Sequence, residues 1–297
     1  MTFIRKYRTL IIIIMIIVFI AFYTKIFDFE YNKAIKLTYA EQKNNFNHIK
    51  IEKQVFSYNN STTEFLIAYS NKITPDKFFF LLGGFKEGKE SIYLLDLEKL
   101  CNKGFFVISA DYFTSGMDFS NKTDFLFLKS TAVKNQKLIE EYLTHFIETN
   151  NITSRENVFT GASLGSFIGI KPVSNMKTYF SHIAFIYSGA DINSVLNSKN
   201  FLRINNNFLK KSSSYILSLF LSEFDPGNFY KYWENKKALF INGKKDASIP
   251  IYNSQKLHDL YNNTTKTVVW DEGVHIGANR KDILKKTLSH LYKWLDL

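Results

Sequence analysis

The chain has 297 residues, of which 45% are hydrophobic and 22% are charged. This balance excludes a disordered tail or a fibrous repeat and fits one large α/β domain or two small ones. The net charge is +11, but the basic residues are scattered and form no patch interleaved with stacking aromatic side chains, so no nucleic-acid partner is predicted. The single cysteine, Cys101, excludes an intramolecular disulfide and a cysteine-based zinc site.

The N-terminal part of the chain is predicted to be a membrane anchor. An unbroken apolar run over 10–22 follows a basic stretch that contains Arg5, Lys6 and Arg8. Extended to residue 27, the run of about 18 residues would reach roughly 27 Å as a helix, which just spans a thin bilayer. No small-residue cleavage pattern follows it, so an uncleaved anchor is favoured over a secreted protein. The predicted segments are a cytoplasmic basic N-terminus over 1–8, a signal anchor over 9–27 and a stalk over 28–45, with the remainder on the non-cytoplasmic side.

Residues 46–297 are predicted to form one domain in which strands and helices alternate. An opening pair of strands over 49–56 and 64–69 is followed by short apolar runs such as KFFFLL and FFVISA, which are typical of strands buried on both faces. Further strands are predicted over 77–82, 105–110, 157–160, 183–187, 238–242 and 265–270, and helices over 92–102, 130–150, 163–170 and 281–295. This alternation favours an α/β fold with a mostly parallel sheet and helices on both faces.

The candidate nucleophile is Ser163. The sequence from Gly161 to Gly165 matches the pattern G-x-S-x-G where a predicted strand meets a predicted helix. There, a sharp turn holds the serine in a strained conformation, and the flanking glycines let the strand and the helix approach closely. The helix N-terminus adds partial positive charge beside the hydroxyl. The alternative is a glycine-rich helix start without a catalytic role.

A serine hydroxyl needs a histidine base and a carboxylate that orients the base, in the chain order serine, acid, histidine for this kind of turn. Of the six histidines, only His275 occupies a loop at the carboxyl end of a predicted strand. Asp246 follows the strand before it and is favoured as the acid, with Asp191 as its rival. Asp111 and Asp225 are interpreted as residues that structure loops.

An oxyanion hole needs two backbone N–H groups that point at the same place. One is expected from Leu164, directly after the candidate nucleophile. The other is expected from the loop after the strand over 77–82, where Gly83 and Gly84 precede Phe85. The N–H of Phe85 is favoured and that of Gly84 is the second choice; a simple glycine turn is the alternative.

Taken together, these motifs make residues 46–297 resemble the α/β-hydrolase superfamily, and most of all its serine esterase, lipase and aminopeptidase branch. Asp225-Pro226 and the segment NGKKDASIP around Asp246 match common patterns of that branch. Its members usually carry His-Gly where this chain has Gly83-Gly84, and Gly-His where it has Val274-His275. The resemblance implies eight mostly parallel strands and an acyl-enzyme mechanism, with no metal or cofactor.

The expected activity is therefore hydrolysis of an ester, thioester or amide, with Ser163 as the acylated residue, Asp246 as the acid and His275 as the base. An acyltransferase would use the same three residues with an alcohol in place of water. A membrane-tethered binding protein on the same fold is the non-catalytic alternative.

Residues 191–233 lie between two predicted strands and are predicted to form a small helical cap. Tyr215, Ile216, Leu219, Phe220 and Phe224 fall at helical spacings. An apolar cap over the mouth of the site would indicate a small-molecule or lipid-like acyl substrate. Ordinary packing of this stripe against the domain is the favoured interpretation.

Overall fold

A computed structural model describes residues 48–59, 61–84, 87–112, 128–198, 206–261, 265–277 and 279–297. The N-terminal segments predicted over 1–45 lie outside these ranges, so the anchor stays a prediction from the sequence. Within the ranges given, no helix has both the length and the apolar character that crossing a bilayer requires.

The described residues form a single sheet of eight strands. In chain order the strands are β1 (Ile49–Tyr58), β2 (Ser61–Ser70), β3 (Lys77–Leu82), β4 (Phe105–Ala110), β5 (Asn157–Ala162), β6 (Phe180–Ile186), β7 (Lys237–Gly243) and β8 (Lys266–Asp271). Their order across the sheet is β1-β2-β4-β3-β5-β6-β7-β8. Strand β2 runs antiparallel to both its neighbours and every other pair is parallel. The predicted mostly parallel sheet of eight strands is confirmed.

Helices pack on both faces of this sheet. In chain order they are α1 (Leu97–Cys101), α2 (Leu128–Thr149), α3 (Leu164–Asn175), α4 (Ile192–Leu196), α5 (Asn207–Leu221), α6 (Ile251–Leu260) and α7 (Lys281–Trp294). Short 3-10 helices cover Gly88–Leu94, Ser222–Phe224, Pro226–Asn228 and Tyr230–Trp233.

The prediction of one continuous helix over 92–102 is wrong. The chain forms the 3-10 helix Gly88–Leu94, becomes extended at Leu95 with φ −86° and ψ 155°, and starts again as α1. The break lies at Asp96, whose side chain accepts a hydrogen bond of 3.0 Å from the N–H of Lys99 and caps the new helix. An aspartate that bonds to nearby backbone favours a helix start over a helix interior, so the apolar periodicity alone was misleading here.

The two faces of the sheet are packed differently. The first face, covered by α2, α3 and α6, buries large rings; its strand residues include Phe78, Phe80, Phe159, Phe185 and Phe240, each 0% exposed. The second face, covered by α1 and α7, carries mainly smaller aliphatic residues in the central strands. We call these the phenylalanine face and the aliphatic face.

Helix α5, in the predicted cap, points its apolar stripe outward. Tyr215, Leu219 and Phe220 are 58%, 60% and 57% exposed, and the buried positions are Ser214 and Ser218. The hydroxyls of both serines donate back to carbonyls of their own helix, at 2.9 and 2.7 Å, so their burial leaves no unpaired donor. The interpretation that the stripe packs against the domain is therefore wrong for α5, although Phe224, just beyond it, is buried in the core.

Candidate active site

Ser163 sits at a sharp turn between β5 and α3, with backbone angles of φ 50° and ψ −122°. A positive φ is costly for a residue with a Cβ and marks a strained position. The flanking glycines permit the turn. A Cβ on Gly165 would collide with the carbonyl oxygen of Leu82, and a Cβ on Gly161 would lie 2.6 Å from Cα of Ser166. The motif thus contains glycine at the two positions where backbone passes too close for any side chain.

The structure brings Ser163, His275 and Asp246 together. Ser163 Oγ lies 2.7 Å from His275 Nε2, and His275 Nδ1 lies 2.6 Å from Asp246 Oδ2. The other oxygen of Asp246 accepts hydrogen bonds from the backbone N–H groups of Ser248 and Ile249, at 2.8 and 2.9 Å. Because the carboxylate can only accept, Nδ1 carries the proton and Nε2 is left to accept from the serine hydroxyl.

Backbone contacts at the ends of β7 and β8 fix the acid and the base relative to each other. The N–H of Lys244 donates to the carbonyl of Asp271 at 2.7 Å, and that of Lys245 donates to the carbonyl of Gly273 at 3.1 Å. A Cβ on Gly243 would lie 2.5 Å from the carbonyl oxygen of Gly273, so this close approach also requires glycine. The two loops therefore hold Asp246 and His275 through main-chain bonds.

On the other side of Ser163 lie the N-terminus of α3 and the loop after β3. The N–H of Leu164, the first residue of α3, belongs to the end of a helix where N–H groups have no acceptor within the helix. Gly83 and Gly84 line a cavity together with Ser163. Phe85, the favoured second donor, lies outside the described residues, so within the described part of this loop Gly84 remains the candidate.

A buried tyrosine that the sequence analysis missed fixes the loop after β3. The hydroxyl of Tyr112 is buried and donates to the carbonyl of Gly83 at 2.7 Å. Burial raises the pKa of Tyr112 well above its ordinary value, so the phenol stays a donor. Its position just past the carboxyl end of β4, next to β3 in the sheet, is the signal that would have found it.

The other candidate acids have structural partners. Asp191 caps α4 and its carboxylate lies 2.9 Å from Lys256 Nζ. Asp225 accepts from backbone N–H groups and Asp111 pairs with Lys89 at 2.5 Å. Both fit the predicted loop-structuring role, and of these acids it is Asp246 that contacts the histidine.

The remaining histidines lie where packing or surface roles were predicted. His258 is 2% exposed on α6, its Nε2 lies 3.0 Å from Asn242 Nδ2, and burial lowers its pKa to about 4. Burial also lowers the pKa of His182, on β6, to about 4.

A second residue that the sequence analysis missed, Tyr187, packs edge-on against the ring of His275 with centroids 5.9 Å apart.

Ser163 and His275 open into a cavity of about 300 Å³. A groove of about 410 Å³ between β2 and the end of α2 contains none of the predicted site residues. In the part of the chain that is described, no group of three or more His, Cys, Asp or Glu side chains is placed to hold a metal ion.

The fold occurs in solved structures of hydrolases. An acylaminoacyl peptidase from Pyrococcus horikoshii matches 87% of this chain with a TM-score of 0.58 and 14% identity, and this chain spans 43% of that protein's length. A cold-adapted esterase from an Arctic intertidal metagenomic library gives a TM-score of 0.54 at 11% identity, covering 83% of this chain and 94% of the esterase. An esterase of Pyrococcus furiosus gives 0.56 at 13%, covering 84% and 92%.

No protein-family model matches the sequence, and no curated protein matches it. At identities of 11–14% the likeness shows the fold alone. With the sheet order above, it shows that this chain has the α/β-hydrolase fold that its motifs predict.

Proposed function

We propose that the protein is a serine hydrolase that cleaves an ester, thioester or amide through an acyl-enzyme on Ser163. The observation that carries the proposal is the continuous chain of short contacts from Ser163 Oγ through the His275 ring to Asp246, at 2.7 and 2.6 Å. A nucleophile within hydrogen-bond reach of a base, and a base oriented by a third group, is the arrangement that covalent catalysis requires.

In the first step, Ser163 Oγ attacks the substrate carbonyl carbon while its proton passes to His275 Nε2. The carbonyl oxygen takes the electron pair of the broken π bond, and the Leu164 N–H, the α3 N-terminus and the N–H of Gly84 stabilise that negative charge. Collapse of the tetrahedral intermediate breaks the bond to the leaving group, which receives the proton from Nε2. Asp246 stabilises the imidazolium in between and keeps the ring in position.

In the second step, water replaces the leaving group. His275 Nε2 takes a proton from the water as its oxygen attacks the acyl carbon, and then returns a proton to Ser163 Oγ as the acid departs. The strained turn at Ser163 presents the hydroxyl clear of the strand. The esterases of similar fold favour a small-molecule ester as the substrate class.

Active-site labelling tests this proposal. A fluorophosphonate probe should label the wild-type protein, and Ser163→Ala should abolish labelling and lower p-nitrophenyl ester hydrolysis by at least about 10³-fold, as expected for loss of a nucleophile. Ser222→Ala, at an exposed serine after α5, is the matched control and should label normally. Undiminished labelling of a folded Ser163→Ala protein would refute the assignment.

Product analysis separates hydrolysis from the acyltransferase alternative. With an ester substrate in water, a hydrolase releases the free acid at the rate at which the alcohol appears. Adding a primary alcohol should leave the acid as the main product. A new ester as the main product at millimolar alcohol would instead assign the second step to acyl transfer.

A further inference from the structure

The cavity beside Ser163 extends over the aliphatic face of the sheet. Its floor is formed by side chains of the central strands β3, β5 and β6: Leu81, Thr160, Ala162 and Ile186. Helix α7 lines it with Leu284, Leu288 and Leu291, which recur at the helical spacing of four and three residues. The cavity is thus a gap between the sheet and α7 that opens at the nucleophile.

Small side chains on the central strands explain why this gap exists. In the register of the sheet, Thr160 lies between Leu81 and Ala184, and Ala162 pairs with Ile186. Small side chains therefore occupy the middle of the aliphatic face at the carboxyl ends of the strands. On the phenylalanine face, Phe80 pairs with Phe159, and these rings fill the corresponding space.

We propose that this cavity holds the acyl chain of the substrate and that Leu288 and Thr160 determine which chains it accepts. The inference rests on the proposed function, because it takes Ser163 as the acylated residue. The leaving group must depart before water attacks, whereas the acyl group stays on Ser163 Oγ through both steps. A space between the sheet and a helix suits the group that stays, and the side of His275, which is 24% exposed, suits the group that leaves.

The lining indicates the chemical class of the chain. Leucine and isoleucine account for eight of the nineteen residues of the described lining, which contains one carboxylate, Glu87, but no lysine or arginine. An acyl chain that ends in a carboxylate would therefore lose its hydration without meeting a basic side chain in the described lining. A volume of about 300 Å³ is at the lower limit for small-molecule sites, so the cavity suits an uncharged chain of short or medium length.

Thr160 adds a polar atom to the cavity floor. Its side chain is buried, and among the described residues its Oγ1 has no hydrogen-bond partner. The hydroxyl is already shielded from water in the free protein, so an apolar chain packed against it meets an unpaired polar atom where a methyl group would give a fully apolar contact. Thr160→Val keeps the branched shape and removes the hydroxyl, so it should favour longer apolar chains.

The experiment compares chain-length profiles of the full-length protein and three variants. We would measure kcat/KM for p-nitrophenyl acetate, butanoate, hexanoate and octanoate, which differ only in the acyl chain. Each methylene that enters the cavity should raise kcat/KM by up to about fourfold.

Leu288→Trp, which fills the cavity, should lower the ratio of kcat/KM for hexanoate to that for acetate by at least about tenfold. Thr160→Val should raise this ratio by about threefold. Leu219→Trp, at the exposed position on α5, is the matched control and should keep the wild-type ratio.

The possible results of this experiment distinguish failure of the acyl-chain assignment from failure of the proposed hydrolase function. If esters are hydrolysed in a Ser163-dependent manner but neither Leu288→Trp nor Thr160→Val changes the acyl-chain ratio, the inference is wrong and the proposed function stands. A second series, alkyl acetates with graded alcohols, identifies the leaving-group site. A Leu288→Trp effect confined to that series would overturn the acyl assignment. No ester hydrolysis and no Ser163 labelling would remove both proposals together.

Discussion

The two faces of the central sheet use the same strands for different purposes. On the phenylalanine face, Phe80, Phe159 and Phe185 are completely buried against α2 and α3. On the aliphatic face, the alternate residues of the same strands, among them Thr160 and Ala162, are small and leave a cavity next to Ser163. Because side chains alternate along a strand, one sequence can pack one face fully and keep space on the other.

Stability and substrate binding are expected to depend on different faces of the sheet. Rings that fill a face without voids contribute the most to the free energy of unfolding, whereas residues around a cavity already lack part of their contacts. We therefore expect substitutions on the phenylalanine face to reduce stability and substitutions on the aliphatic face to change substrate preference.

The largest effect is expected from Phe159→Ala. The ring of Phe159 is 0% exposed and lies over Gly161 and Gly169, where a Cβ would come within 3.0 and 2.5 Å of it. Removing the ring should lower the free energy of unfolding by about 3–5 kcal/mol, measured by urea denaturation. Leu288→Ala, on the cavity side, should cost less than about 2 kcal/mol. Equal losses for both variants would contradict the comparison between the faces.

The next largest effect is a dependence of stability on pH from His258. This ring packs on the phenylalanine side, 4.9 Å from the Phe240 ring, and its pKa is lowered to about 4 from 6.5 by burial and by Lys266, with Asp259 opposing. Above pH 6.5 the ring is neutral in both states. As the pH falls from 6.5 to 4, the unfolded chain binds a proton that the folded protein does not, so stability falls by about 3 kcal/mol.

Urea denaturation of the wild type and His258→Gln at pH 7 and pH 4.5 measures this dependence. His182, whose pKa is lowered in the same direction, contributes in both proteins, so the difference between them reports His258. The variant should be less stable at pH 7 and lose less stability on acidification. An identical pH dependence in both proteins would contradict the burial of a neutral His258.

The smallest effect is expected from Thr160→Val, on the aliphatic face. The Thr160 hydroxyl is buried without a partner among the described residues, and replacing it by a methyl group removes an unsatisfied polar atom. The free energy of unfolding should rise by about 1 kcal/mol in a urea titration. A loss of stability above about 1 kcal/mol would mean that this hydroxyl is hydrogen-bonded in the folded protein.

Much of the fold follows from local patterns in the sequence. The runs KFFFLL and FFVISA became β3 and β4 because their apolar character specifies burial on both faces. The G-x-S-x-G motif indicates Ser163, and Ser163, Asp246 and His275 each follow a strand; parallel strands bring their carboxyl ends to one edge of the sheet. These predictions need only the local motif and the order of the elements.

The features that the sequence does not predict depend on contacts between residues that are distant along the chain. The break at Asp96, the outward stripe of α5 and the Tyr112 bond to Gly83 involve competition between local and tertiary contacts that periodicity does not record. The cavity required the register of β3, β5 and β6 as well, since small residues leave a void only where they are neighbours.

The main-chain bonds that join the ends of β7 and β8 determine how the site can move. Asp246 and His275 are carried by adjacent strands whose loops are bonded to each other, while Ser163 is carried by β5, on the far side of β6. The same kind of bond links Ser163 to them through β6: the N–H of Ser163 donates to the carbonyl of Ile186 at 2.8 Å, and that of Tyr187 to the carbonyl of Ile241 at 2.6 Å. Strain along this edge of the sheet would therefore change the Ser163–His275 distance, which spans three strand junctions, more than the His275–Asp246 contact, which spans one.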